Sequence, residues 1–177
     1  MPNKIKDRLN DDEIKVLRYL IQNSNQNIEQ IAKKCDLTSQ KILRLKKKLE
    51  KNNIIWGYVA LTDYKNIDLN HFTVLFKRTT NPLNKEVIED VTKGFLEDSF
   101  PEGKISIENV LYVHGDYDWI ISFTAPDTLT MKKFCDKLIR KFGEYIENYS
   151  VHQTIIPIRK HGIKSPKAEK QSDYLGG

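Results

Sequence analysis

The chemistry this sequence can do is concentrated between Lys33 and Lys51. That stretch holds eight basic residues (Lys33, Lys34, Lys41, Arg44, Lys46, Lys47, Lys48, Lys51) and two acidic ones (Asp36, Glu50), a net of +6, while the whole chain carries +5. The remaining residues therefore sum to −1. Positive charge is a local feature here, and a local cationic patch favours a polyanionic partner. If residues from Thr38 or Ser39 form a helix, Ile42, Leu45 and Leu49 fall on one side at about 100° per residue. Gln40, Arg44, Lys47 and Lys51 fall on the opposite side, flanked by Lys41 and Lys48. An amphipathic helix with a solvated lysine face would read the same way in isolation; the asymmetry of charge along the chain argues for the interface.

The elements around that helix support the reading. Ile28, Ile31, Ala32 and Cys35 recur at i, i+3, i+4 and i+7, an apolar stripe at helical period behind Asn27 as N-cap and Gln30 as a weak capping-box partner. Cys35-Asp36-Leu37 breaks the pattern. Two helices joined by so short a turn, the second one basic on its outer face, form a helix-turn-helix suited to the DNA major groove. Ahead of them, Asn10 caps a first helix opening on Asp11, Asp12 and Glu13, with Ile14, Leu17, Leu20 and Ile21 inward. Met1–Arg8 reads as a frayed polar terminus.

Ile54–Thr62 (IIWGYVALT) has strand character and serves as a connector or dimer-pairing strand. Asp63–Asn70 is a polar linker. From His71 the period becomes two, with Phe72, Val74 and Phe76 on one face. A helix marked by Val87, Val91 and Phe95 follows, then a strand over Glu108–His114, a Gly115-Asp116 turn, and a third strand over Tyr117–Thr124. Met131, Phe134, Cys135, Leu138 and Phe142 stripe the next helix, ended by Gly143. A strand over Ile146–Ile158 completes βαββαβ, the ferredoxin-like split βαβ. The predicted class is α+β: a three-helix helix-turn-helix domain over 1–53, a connecting strand and linker over 54–69, a βαββαβ domain over 70–160, and a flexible basic tail over 161–177.

Composition excludes several alternatives. Cys35 and Cys135 are the two cysteines and read as small buried hydrophobes in a reducing compartment. The four histidines (His71, His114, His152, His161) are scattered with no cysteine pair beside them, so no metal site and no cofactor is expected. His114 and His152 would meet only if their strands were neighbours. Asp116 and Asp118 flank Tyr117, but an acid/base pair there would need a pocket. Phosphate-cradling loops, H-E-x-x-H and G-x-S-x-G are absent from the sequence. No apolar run approaches the ~18–20 residues of a membrane span and no secretory leader is evident, so a cytoplasmic location is expected.

The order and spacing of these pieces resemble the Lrp/AsnC (feast/famine) transcriptional regulators from about Leu9 to Ile158. The resemblance is carried by Leu9–Leu20 (LNDDEIKVLRYL), Asp36-Leu37-Thr38, Leu49-Glu50, Ile55–Tyr58 (IWGY) ahead of Val59-Ala60-Leu61, and Gly115-Asp116-Tyr117-Asp118. It implies double-stranded DNA as partner, a homodimer able to assemble to tetramers or octamers, and a small-molecule effector, often an amino acid. Carried over, Gly115, Asp116, Tyr117 and Asp118 line the effector site. Gln40, Lys41 and Arg44 would meet base edges, and Lys47, Lys48 and Lys51 phosphates. Three features depart from the family. Lys46 stands where Ile or Val is usual and Leu45 where Arg is frequent; Glu97–Ser106 looks inserted; and the last strand runs on through Pro157 to His161. The architecture is also similar to that of siroheme decarboxylases, enzymes using histidine and basic residues around a tetrapyrrole, but those stand where this chain has Gly115-Asp116.

Overall fold

Side-chain caps set the helix starts of the N-terminal region. The structure, a computed structural model, describes residues 8–94, 105–169 and 173. Asn10 accepts the Glu13 backbone N–H while Glu13 accepts that of Asn10, both at 2.9 Å, a full capping box at the head of α1 (Asp11–Gln22). Asn27 caps α2 (Ile28–Cys35) by accepting the Glu29 N–H at 2.8 Å, so Gln30 takes no part. Asp36 adopts the left-handed conformation (φ 58°), and Leu37 N–H closes the turn on the Ala32 carbonyl. Thr38 then caps α3 (Ser39–Lys51) through the Lys41 N–H. Val16, Leu20, Ile31, Ala32, Cys35, Ile42 and Leu45 form the buried cluster joining the three helices.

Beyond α3 the amides of Ile54 and Ile55 both reach the Leu49 carbonyl. The strand expected over Ile54–Thr62 is not formed within one chain: residues 56–63 join no ladder, and Trp56 is 94% exposed. A strand needs a partner, and none of the described strands lies beside this segment.

The second unit is the split βαβ fold. Its elements are β1 (Asn70–Arg78), α4 (Lys85–Thr92), β2 (Ser106–Tyr112), β3 (Trp119–Ala125), α5 (Thr128–Phe142) and β4 (Ile146–Gln153). The strands run antiparallel in the order β2-β3-β1-β4. Phe72, Val74 and Phe76 lie opposite Phe123, Ile121 and Trp119 on one face, and Val87, Phe134, Leu138 and Phe142 cover that face from the helices. The Phe123 and Phe134 rings lie 4.4 Å apart. Burying each of these side chains contributes about 1.5–3 kcal/mol.

Several expectations are corrected in detail. The β2–β3 connection is not a two-residue turn but six residues, 113–118, because both strands stop short of the expected ends. The last strand ends at Gln153. From residue 161 the chain was expected as a flexible tail, yet β5 (Arg159–Lys160) pairs with β6 (Ile163–Lys164). The reason lies in His161 (φ 44°) and Gly162 (φ 82°), two consecutive left-handed residues that make the tight turn such a pair requires. The region expected as an insertion, Glu97–Ser106, falls outside the described residues up to position 104.

Among the described residues, 8–61 and 157–169 group as one unit, and those between Thr62 and Ile156 as the other.

Candidate nucleic-acid interface

Ile42, Leu45 and Leu49 are buried at 0%, 6% and 1% exposure, which fixes the rotation of α3. Gln40, Arg44, Lys47 and Lys51 consequently lie exposed along its crest. Among the described residues none of these four enters an ion pair with a carboxylate of the chain. Their head groups are available to an external anion.

Both flanks of the helix are held. On the α1 side, Lys41 Nζ lies 2.5 Å from an Asp12 carboxylate oxygen and Lys48 Nζ 2.6 Å from Glu13 Oε1. The Glu13 side chain is 4% exposed and already accepts the Asn10 amide. The hydrogen bond from Lys48, then that from Asn10, holds its carboxyl below the ordinary glutamate range. On the other flank, Lys46 Nζ stands 4.6 Å from the centre of the Tyr58 ring, and Tyr58 Oη donates to Glu50 Oε1 at 2.8 Å. Burial, then the Glu50 carboxylate, pushes the Tyr58 hydroxyl up to about 12. Lys46 thus neither enters the core nor reaches the crest. A helical wheel places Lys41, Lys46 and Lys48 but cannot reveal these partners, because the partners belong to other elements.

The second predicted site, the turn over 113–118, is put together differently. Gly115 and Asp116 are exposed at its tip, with nothing near the position a Gly115 Cβ would take. Asp118 faces inward: its carboxylate accepts the Arg78 backbone N–H at 2.8 Å, its own N–H donates to the Phe76 carbonyl, and its carbonyl accepts from Val113. The Arg78 guanidinium sits over Tyr112 and Trp119 and donates to the Tyr112 hydroxyl and the Asn81 carbonyl. Sequence reasoning did not single out Arg78, and no spacing signal in β1 would have done so.

Residues 9–55 match the winged helix-turn-helix DNA-binding family. Solved structures extend the likeness over most of the chain. An AsnC-family transcriptional regulator from Agrobacterium tumefaciens is 22% identical at a TM-score of 0.62, covering 94% of this chain and 99% of that one. The leucine response regulatory protein of Mycobacterium tuberculosis is 12% identical at 0.62, covering 86% and 97%. A Neisseria meningitidis transcriptional regulator, solved as an L-Met complex, is 16% identical at 0.60, covering 92% and 99%. The chain has the Lrp/AsnC fold. No curated protein matches the sequence.

Within the Lrp/AsnC fold the four histidines occupy separate places. His71 Nδ1 lies 2.7 Å from the Thr154 hydroxyl and its Nε2 3.4 Å from Glu108. His114 is in the β2–β3 turn, His152 is on β4 and His161 is in the β5–β6 turn. With β2 and β4 at opposite edges of the sheet, His114 and His152 do not meet. Among the described residues no group of three or more His, Cys, Asp or Glu side chains could hold a metal, and no helix is long and apolar enough to cross a membrane.

The Glu13–Lys48 pair can be tested through pH. Glu13→Gln keeps a side chain able to complete the capping box but loses the ion pair. At neutral pH it is expected to lower stability by about 1 kcal/mol in chemical denaturation. Because the folded Glu13 pKa lies below its unfolded value near 4.5, the stabilisation is present above that value and lost as pH falls through the folded pKa. Wild type and variant should therefore converge in acid.

Proposed function

We infer that this protein is a sequence-specific, DNA-binding transcriptional regulator of the Lrp/AsnC type, acting in the cytoplasm. The observation that carries this reading is the exposed crest of α3, four polar or cationic side chains on a helix held along both flanks. Gln40 and Arg44 read base edges; Arg presents a planar fork suited to guanine, and Gln pairs with adenine. Lys47 and Lys51 bind phosphates. Lys41 and Lys48 stand at the α1 edge of the interface, where a phosphate competes with Asp12 and Glu13 for them.

The protein acts as a homodimer. Residues 56–61 join no strand ladder in one chain, with Trp56 and Val59 94% and 69% exposed, which suits a segment that pairs with its counterpart in a second copy. An amino-acid effector binds at Gly115, Asp116, Tyr117 and Asp118. The L-Met complex of the Neisseria protein supports that class of ligand. Within the turn, Asp118 shapes the loop while Gly115 and Asp116 face the ligand. Against the tetrapyrrole enzyme, His114 and His152 belong to opposite edges of the sheet.

Two substitutions separate base reading from charge. On a duplex selected with the full chain, Lys47→Ala should weaken binding to specific and random sequences alike and reduce the slope of log K against log salt by ~1. Arg44→Ala should cost ~1–3 kcal/mol on the selected site and relax its sequence preference. Wild-type behaviour of both in a salt titration would overturn the interface. For the effector, a melting-temperature screen against the twenty amino acids should yield one that raises Tm, since a ligand bound only by the folded state stabilises it. Asp116→Ala should abolish that shift, and a screen without a hit would sink the effector assignment.

A further inference from the structure

The family matched by residues 9–55 is described as winged, and a wing is a β-hairpin beside the recognition helix. Yet the matched segment contains three helices and no strand. Among the described residues, the one strand pair in the same packed unit is β5–β6, more than a hundred residues further along the chain. Its composition is that of a phosphate-binding element. From Pro157 to Glu169 there are four cations (Arg159, Lys160, Lys164, Lys167) against a single carboxylate, Glu169.

The register sorts these charges by face. Arg159 lies directly opposite Lys164, so the two cations project from the same side of the hairpin, and both are exposed. Lys160, opposite Ile163, projects from the other side and is half-buried. Like charges directly opposed across a strand pair oppose folding. Among the described residues that repulsion is offset by an exposed ion pair, Lys164 Nζ to a Glu169 carboxylate oxygen at 2.6 Å, with Glu169 83% exposed. Such pairs contribute little, so a phosphate can take the place of Glu169. Arg159 Nη1 donates across the turn to the Gly162 carbonyl at 2.5 Å, and one bond of that kind leaves the guanidinium further N–H groups for an external acceptor.

We propose that the β5–β6 hairpin is the wing of this DNA-binding domain, with Arg159 and Lys164 binding backbone phosphates of the duplex beside the bases that α3 reads. This rests on the regulator reading above and adds a second, sequence-independent contact from the opposite end of the chain. The hairpin then anchors the protein on the backbone and lengthens the bound site without changing which bases are preferred.

The test uses the full-length protein and a duplex selected with it from random sequence. In Arg159→Gln/Lys164→Gln the salt slope should fall by about 1.8, the contribution of two phosphates at ~0.9 each. Specific and random duplexes should weaken by the same factor, and a hydroxyl-radical footprint should lose protected backbone positions at its flanks while those at the α3 contacts persist. Lys93→Gln/Lys132→Gln removes the same charge from exposed positions on α4's end and α5 and should leave slope and footprint as in wild type. A hairpin variant with the wild-type slope and footprint overturns the proposal, as does an equal loss in the control. If Lys47→Ala weakens binding as expected while the hairpin variant does not, the wing alone fails. A wild-type chain that binds no duplex overturns wing and regulator together.

Discussion

Burial of Ile42, Leu45 and Leu49 decides where every charge on α3 points. Each such side chain contributes about 1.5–3 kcal/mol when removed from water, against roughly 0–1 kcal/mol for an exposed ion pair. The apolar stripe therefore sets the rotation of the helix, and the Asp12–Lys41 and Glu13–Lys48 pairs refine it. Turning α3 by one residue, about 100°, would carry Lys41, Arg44 and Lys48 toward the Val16–Ile31 core. Desolvating even one such cation costs several kcal/mol, more than the flanking pairs could return. A cationic crest is thus a consequence of where three hydrophobic residues sit, and it needs no separate mechanism to hold it outward.

The same logic explains what could be read from the sequence. The α3 stripe, the Asn10 and Thr38 caps and the alternation of Phe72, Val74 and Phe76 are local patterns, and local patterns survive into the fold because each matches the period of its element. The partners of Lys41 and Lys48 lie on α1, some thirty residues away, and only the packing of α1 against α3 brings them near. Ile54–Thr62 has strand composition but no strand, since a ladder belongs to a pair of segments. The hairpin after Pro157 was hidden for the opposite reason. Its composition is that of a solvated tail, and its order comes from two positive φ values at His161 and Gly162, conformations that composition does not announce.

Among the four residues of the Gly115–Asp118 turn, the structure separates two kinds of work. Asp118 carries the β1 hydrogen-bonding pattern past Phe76 to Arg78, substituting a carboxylate for a backbone acceptor. That bond ties the turn to the central strand and leaves the Arg78 guanidinium stacked near Tyr112 and Trp119. Gly115 has neither a positive φ nor a close neighbour among the described atoms. No contact among the described residues calls for glycine at that position.

Lys46 shows how a departure from a family pattern can be absorbed. An apolar residue at this point of α3 would face the segment leaving the helix. The lysine instead lays its ammonium over Tyr58, while the Tyr58 hydroxyl reaches Glu50 one helical turn beyond. The cation–π contact contributes about 0.5–1 kcal/mol and the hydrogen bond to a charged acceptor about 1.5–3 kcal/mol. Together they fasten residue 58 to α3 at two points, so the exit segment cannot change course at Tyr58 without displacing the helix or breaking both contacts. If two copies pair through residues 56–61, as proposed above, that fastening links the pairing segment to α3. A position that weakens the helix as an apolar repeat thereby strengthens the link between α3 and its exit segment.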